Sequence, residues 1–208
     1  MLKVLIADDH PVVRKGLKQI LADEQDIAVV GEARNDGEVM NLIHAHAWDA
    51  VVLDITMPGR GGMELLSEIK RMYPKLPVLM LTIHPEDQYA VRAFKEGASG
   101  YMNKESAPEE LVGAIRKVIR GGKYVSTALA EKLASTLGAE TPAHDGLSIR
   151  EYQVMLLIAS GRTISQIAEE MALSVKTIST YRTRILEKMG MTNNVELTRY
   201  AMKNRLVE

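Results

Sequence analysis

Four apolar runs in this chain each end on a polar side chain. Val4-Leu5-Ile6-Ala7 runs into Asp8 and Asp9, and Ala50-Val51-Val52-Leu53 ends on Asp54. Val78-Leu79-Met80-Leu81 ends on Thr82, and Gly100-Tyr101-Met102-Asn103 ends on Lys104. In an open parallel sheet, ligands bind just outside the carboxyl ends of the strands, so these groups describe one pocket. Three carboxylates, a hydroxyl and an ammonium suit a divalent cation together with a phosphoryl group. Asp54 is the candidate nucleophile, because a carboxylate can attack phosphorus and form an aspartyl phosphate. Carboxylate and phosphoryl oxygens repel, so a cation must sit between them. Mg2+ fits through its preference for hard oxygen ligands, from Asp8 or Asp9 (or both) and Asp54, with the backbone carbonyl of Thr56 as a further ligand. Lys104 would pair with Asp54 or the phosphoryl group as a point charge, and Thr82 would hydrogen-bond a phosphoryl oxygen. Singly, each residue has an ordinary reading: Asp9 as a helix cap, Lys104 as a solvated lysine, Thr82 as a strand residue. Their joint placement at four strand ends carries the functional one.

The elements that must hold these groups alternate. Short aliphatic runs at about 2–8, 27–33, 50–54, 77–82 and 98–103 read as buried parallel strands. Helical patterns lie between and after them, at about 11–22, 36–46, 62–72, 86–96 and 107–120. This order predicts a doubly wound α/β unit over residues 1–121. Asp9-His10-Pro11 reads as a helix start with a carboxylate cap, and Gly121-Gly122 as a helix stop. A short helix is expected at 126–136. Gly138 to Gly146, with Pro142 and several small residues, reads as a flexible linker. Residues 122–146 therefore separate two domains.

From residue 147 the pattern is purely helical. Ser148-Ile149-Arg150-Glu151 and Thr163-Ile164-Ser165-Gln166 are capping boxes, Ser174 caps a third helix and Asn193 or Asn194 a fourth. The resulting helices, near 148–160, 163–171, 174–189 and 194–204, make a small four-helix bundle. Only Ala172-Leu173 separates the second from the third, the short connection of a helix-turn-helix. Along 174–189, Val175, Ile178, Ile185, Leu186 and Met189 share the face expected to pack on the bundle. The opposite face carries Lys176, Ser179, Thr180, Thr183 and Glu187, with Arg182 and Arg184 at its flanks. That is either a solvated surface or a DNA-recognition helix. In the second case Lys176, Thr177, Arg182, Arg184 and Lys188 would hold phosphates. Ser179, Thr180 and Thr183 would reach base edges.

Charge supports the second case weakly. Residues 1–121 hold 15 Lys and Arg against 18 Asp and Glu, whereas 147–208 hold 9 against 6. A basic last part on an acidic first part points to nucleic acid at the C-terminal end. The 208 residues contain no cysteine, which excludes disulfides and thiolate metal sites. No apolar run approaches a membrane span, and the start reads as a strand rather than a signal peptide. A cytoplasmic location is expected.

Residues 1–121 resemble the receiver domain of two-component response regulators through Asp8-Asp9, Asp54-Ile55-Thr56-Met57-Pro58, Gly61-Gly62, Thr82, Tyr101 and Lys104. The resemblance implies a flavodoxin-like (βα)5 fold and phosphorylation of Asp54 by a sensor histidine kinase. It also implies a switch in which Thr82 moves toward the phosphoryl group while Tyr101 changes rotamer. Two departures are the bulky Ile83 after Thr82 and Glu105, in place of proline, after Lys104. His84 reads as an exposed loop histidine.

Residues 147–208 resemble the LuxR-type helix-turn-helix. The matching residues are Leu147-Ser148-Ile149-Arg150-Glu151, Gly161, Ile167-Ala168, Leu173-Ser174, Lys176-Thr177-Ile178 and Ile185-Leu186-Glu187-Lys188-Met189. Tyr181 and Ile164 replace the family's usual histidine and asparagine. A receiver joined to this module resembles the NarL/FixJ family. That implies regulated binding of double-stranded DNA, as a homodimer when phosphorylated, with the last helix (Val195, Leu197, Thr198, Ala201, Met202) as a dimer contact. An alternative is a phosphorylation-independent DNA-binding regulator that uses its receiver as a dimer scaffold. A small-molecule phosphotransferase is disfavoured. Such enzymes place an acid/base aspartate two residues after the nucleophile, and here that residue is Thr56. No turnover beyond phosphorylation and dephosphorylation of Asp54 itself is expected. Nucleotide binding is disfavoured because no glycine-rich phosphate loop follows the first strand.

Overall fold

The structure is a computed structural model that describes residues 1–83, 86–127, 129–131 and 142–207. The chain divides into two compact units, Met1–Leu137 and Gly138–Glu208.

In the first unit, β1 (Leu2–Ala7), β2 (Ile27–Ala33), β3 (Ala50–Asp54), β4 (Val78–Thr82) and β5 (Gly100–Asn103) form one sheet in the order β2-β1-β3-β4-β5. Every pairing is parallel. The helices are α1 (Pro11–Ala22), α2 (Asp36–Ala45), α3 (Gly62–Met72), α4 (Glu86–Lys95) and α5 (Ala107–Ile119). β3 and β4 are buried along their whole length, as a sheet covered on both faces requires. Period-2 alternation sorts their side chains. Val4, Ile6, Val52, Leu79 and Leu81 pack with Leu17 and Leu21 of α1 and Leu111, Ala114 and Ile115 of α5. Strand order reverses between β1 and β3. The crevice at that reversal is where a doubly wound sheet binds ligands, and Asp8, Asp9 and Asp54 border it.

Helix α1 corrects one expectation. Its N-cap is His10, without a side-chain cap bond, and Pro11 opens the helix. Asp9 does not cap it. The backbone N–H of His10 donates instead to Asp8 Oδ1, and Asp9 Oδ1 lies against the His10 ring. At the other end, Gly121 adopts φ +85° just after α5, as the glycine pair predicts. Of the helix expected at 126–136, the described residues 127 and 129–131 are helical. The rest lies outside the described residues.

The second unit holds α6 (Ile149–Ala159), α7 (Ile164–Glu170), α8 (Val175–Met189) and α9 (Asn194–Lys203). Both capping boxes are formed, and Ser174 and Asn193 cap α8 and α9. Because Thr163 satisfies an otherwise orphaned N–H of α7, Thr163→Ala is expected to lower this unit's stability by about 1 kcal/mol in a urea titration. The turn between α7 and α8 places Ala172 at φ 52°, and Gly190 ends α8 at φ 64°. The last residues of the expected linker take up regular structure. Ala143–Gly146 forms a 3-10 turn in which Tyr200 Oη lies 2.8 Å from His144 Nδ1 and the His144 ring packs beside Tyr152. Its earlier residues 138–141 lie outside the described ones.

Candidate functional site: an acidic pocket and a recognition helix

The pocket is built from strand ends. Ladder register brings Asp54 opposite Leu81 and Thr82 opposite Asn103, one residue before Lys104. The N–H of Lys104 donates to the carbonyl of Thr82 at 2.8 Å, which ties the ends of β4 and β5 together. Asp8, Asp54 and Thr82 are buried. The ammonium of Lys104, whose side chain is only 11% exposed, lies 2.9 Å from Asp54 Oδ2 and 2.7 Å from Asp8 Oδ2. Asp54 Oδ1 accepts the backbone N–H of Thr56 at 3.1 Å.

Burial raises the Asp54 carboxyl to about 6, outweighing the attraction of Lys104, and the nearby Asp8 carboxylate adds to the rise. For Lys104, burial alone would lower the ammonium, but Asp54 and Asp8 together hold it above the ordinary lysine value. One cation facing two desolvated carboxylates leaves excess negative charge. Lys104 Nζ also meets Asp8 Oδ2 as an ion pair, and Asp9 Oδ1 lies 2.9 Å from the His10 ring. Ligand atoms from Asp8, Asp9, His10 and Asp54 all lie within 4.8 Å of one another. These residues fit a divalent cation: oxygen donors converge, and negative charge remains to be neutralised.

Other residues expected at this site are spread more widely. Tyr101 is fully buried in β5, with its backbone N–H donating to the carbonyl of Tyr124. Thr56 is exposed at the pocket rim. Ile83 is 67% exposed, so its bulk does not fill the pocket. His84 lies outside the described residues. The Lys104–Glu105 peptide bond is trans. Sequence reasoning missed Arg14. This buried arginine donates through Nη1 to the carbonyl of Asp8 at 2.6 Å and lies 3.3 Å from Glu32. An arginine on the inward face of an amphipathic helix directly after the acidic pair was the available signal. It fixes the peptide that carries Asp8 and Asp9.

In the second unit, α8 presents its polar residues outward. Lys176, Ser179, Thr180, Thr183 and Arg184 are exposed, whereas Ile178, Ile185 and Leu186 are buried. Val175 is not on the packed face as expected; as the first residue of α8 it is 51% exposed. The hydroxyls of Ser179, Thr180 and Thr183 donate to the carbonyls of Val175, Lys176 and Ser179. Thr177 donates its N–H to Ser174 Oγ. Two of the expected phosphate contacts are engaged inside the unit. Arg182 Nε donates to Asn194 Oδ1 at 2.6 Å, and Lys188 Nζ donates to the buried Glu151 at 2.6 Å. On α9, Leu197 and Ala201 close the bundle while Val195 and Met202 are exposed.

Residues 4–116 match the response regulator receiver domain model, and residues 145–201 match that of bacterial regulatory proteins of the luxR family. Response regulator UvrY of Escherichia coli K12 is 38% identical over 210 residues, covering 99% of this chain and 96% of the relative. The chain is a response regulator of the NarL/FixJ family. This response regulator is also 38% identical to response regulator GacA of Pseudomonas aeruginosa over 213 residues, covering 100% of this chain and 99% of the relative. Among solved structures it resembles RcsB of Salmonella typhimurium, with a TM-score of 0.71 at 28% identity over 97% of both chains. It also resembles an RcsB–DNA complex, with a TM-score of 0.61 at 28% identity over 97% of this chain and 98% of that one. It is thus a two-component response regulator with a receiver and a LuxR-type DNA-binding domain. No helix among its described residues is long and apolar enough to cross a membrane.

Proposed function

We propose that this response regulator is a phosphorylation-controlled transcription regulator of the cytoplasm. Its receiver spans 1–121, its connector 122–146 and its DNA-binding domain 147–208. The single observation that carries the reading is the pairing of buried Asp54 with Lys104 at 2.9 Å beside the Asp8–Asp9 cluster. A carboxylate oxygen of Asp54 attacks the phosphoryl group of a phosphohistidine on a sensor histidine kinase. An O–P bond forms, the P–N bond breaks, and the departing imidazole keeps the electron pair and takes up a proton. Mg2+, held by Asp8, Asp9, Asp54 and the Thr56 carbonyl, would supply the positive charge that lets two anionic groups meet. Lys104 shifts from the Asp54 carboxylate to a phosphoryl oxygen, Thr82 donates its hydroxyl to another, and Tyr101 changes rotamer as the switch reports outward.

The output is sequence-specific binding to double-stranded DNA by a homodimer. Lys176, Thr177 and Arg184 contact phosphates, and Ser179, Thr180 and Thr183 face base edges. Arg182 and Lys188 can join only by exchanging Asn194 and Glu151 for phosphate oxygens. The exposed Val195–Met202 stripe of α9, with Thr198 and Arg199, supports the dimer contact. A related RcsB structure, bound to a promoter in the presence of the phosphomimetic beryllofluoride, supports the same coupling. The test is a gel-shift titration on selected DNA with and without beryllofluoride and Mg2+. Affinity is expected to rise at least about tenfold, a coupling of about 1.4 kcal/mol. Equal affinities would defeat phosphorylation control and favour the scaffold alternative.

A further inference from the structure

We propose that Arg14 and Glu32 set the affinity of the pocket for Mg2+: Arg14 is a positioning residue that aims Asp8 and Asp9 through the peptide between them, and Glu32 offsets its charge. This inference rests on the cation reading of the pocket given above and assigns two residues outside the ligand set.

The link that carries the two carboxylates lies between a strand and a helix. Ladder pairing of β1 ends at Ala7, against Ala33 of β2 and Leu53 of β3. Beyond it, the N–H of Asp8 donates to the carbonyl of Ala33 at 3.1 Å, and the N–H of His10 donates to Asp8 Oδ1 at 2.8 Å. The carbonyl of Asp8 lies past the ladder and before α1, and Arg14 Nη1 donates to it at 2.6 Å. Rotation of that peptide would swing the Asp9 side chain, so this bond sets where the second carboxylate points. Arg14 is itself tied at two places. Its backbone N–H donates to the carbonyl of His10, and its Nε donates to Glu32 Oε2 at 3.3 Å. A planar guanidinium can serve both acceptors in one fixed geometry.

Stability alone does not call for an arginine here. The side chain is 7% exposed and lies on the same face of α1 as buried Leu17 and Leu21. An apolar side chain of similar volume commonly matches or betters a buried ion pair. What the arginine adds is a donor for the Asp8 carbonyl. Its positive charge beside the pocket would repel a cation, and Glu32 offsets that charge. Lys18, 2.5 Å from Glu32, acts with Arg14 to hold the Glu32 carboxyl below its ordinary value, so Glu32 stays ionised at neutral pH.

The experiment measures Mg2+ binding to the full-length wild-type, Arg14→Met, Arg14→Lys, Glu32→Gln and Asp54→Asn proteins by isothermal titration calorimetry. For all but Asp54→Asn, phosphoryl uptake from acetyl phosphate is also followed against Mg2+ concentration. In Arg14→Met the Kd for Mg2+ and the half-saturating Mg2+ concentration should both rise about tenfold, while the rate at saturating Mg2+ falls far less. Arg14→Lys, which serves only one of the two acceptors, should recover part of the loss. Glu32→Gln should raise the Kd about threefold, since Glu32 is partly exposed and its charge is screened. Arg14→Met that binds Mg2+ as tightly as wild type, or more tightly, would overturn the positioning role. A lower limiting rate at an unmoved half-saturation would overturn it too, because that is the mark of a folding defect. If Arg14→Met does not fold, an unmoved Kd in Arg14→Lys and Glu32→Gln would overturn the inference. Mg2+ binding indifferent to Asp54→Asn would overturn the cation reading itself, and this inference with it.

Discussion

Asp54→Asn is expected to abolish phosphoryl uptake and, at the same time, to stabilise the metal-free receiver. The two effects share a cause. Asp54 is ionised at neutral pH in a site that burial makes unfavourable for charge, and its carboxyl sits near 6 against an ordinary 3.8. A carboxyl raised on folding contributes full stability below the unfolded value, and that contribution is lost as pH climbs from about 3.8 through about 6. At pH 7.5 the folded receiver therefore carries a strained charge that Asn removes, while Lys104 keeps its contact with Asp8. The gain should be about 1–3 kcal/mol at pH 7.5 in chelator, and about half of that at pH 5. Urea titrations at both pH values, with intact mass after acetyl phosphate treatment, read both effects. Added Mg2+ should stabilise wild type and leave the variant nearly unmoved. A variant less stable than wild type at pH 7.5 would show that the Lys104–Asp54 pair outweighs the cost of burying it.

Gly62→Ala should be the most damaging change of a single methyl group in the receiver. A Cβ at Gly62 would stand 1.9 Å from the carbonyl oxygen of Asp54 and 2.9 Å from the Cα of Ile55. The approach is close because the N–H of Gly62 donates to the carbonyl of Ile55 at 2.9 Å, which draws the start of α3 onto the end of β3. Both obstacles are backbone, and β3 is locked between β1 and β4, so the strand end or the helix must shift. The expected loss is about 3 kcal/mol or more in urea. Because the strand end carries Asp54, a displacement near 1 Å should slow phosphoryl uptake about a hundredfold in whatever protein folds. Gly113→Ala is the contrasting case. A Cβ there meets nothing within 4 Å in the middle of α5, and stability should rise by about 0.5–1 kcal/mol. A Gly62→Ala protein as stable and reactive as wild type would refute the close-approach argument.

Local rules made much of this molecule legible from the chain alone. Aliphatic runs that end on Asp9, Asp54, Thr82 and Lys104 specify parallel strands and place their polar groups at one sheet edge. Parallel strands that are buried on both faces permit nothing else. Ser148, Thr163, Ser174 and Asn193 mark helix starts because a side-chain oxygen and an orphaned N–H need each other over three residues. Both kinds of signal are short-range, so they survive in one dimension.

What the tertiary structure decided involves partners far apart in sequence, or the competition between two near ones. Arg14 is inward-facing because Glu32 on the neighbouring strand and the Asp8 carbonyl receive its donors. Arg182 and Lys188 look like phosphate contacts on a helical wheel, yet Asn194 and Glu151 engage them across the bundle. His10 took the N-cap expected of Asp9, because Asp8 Oδ1 captured its N–H and drew the turn over the pocket. The carboxyl of Asp54 rose to about 6 through burial, a property of the packed sheet rather than of its neighbours in the chain. Spacing determined which groups meet. Which of them are desolvated, paired or left with charge to share was decided only when the strands and helices closed around them.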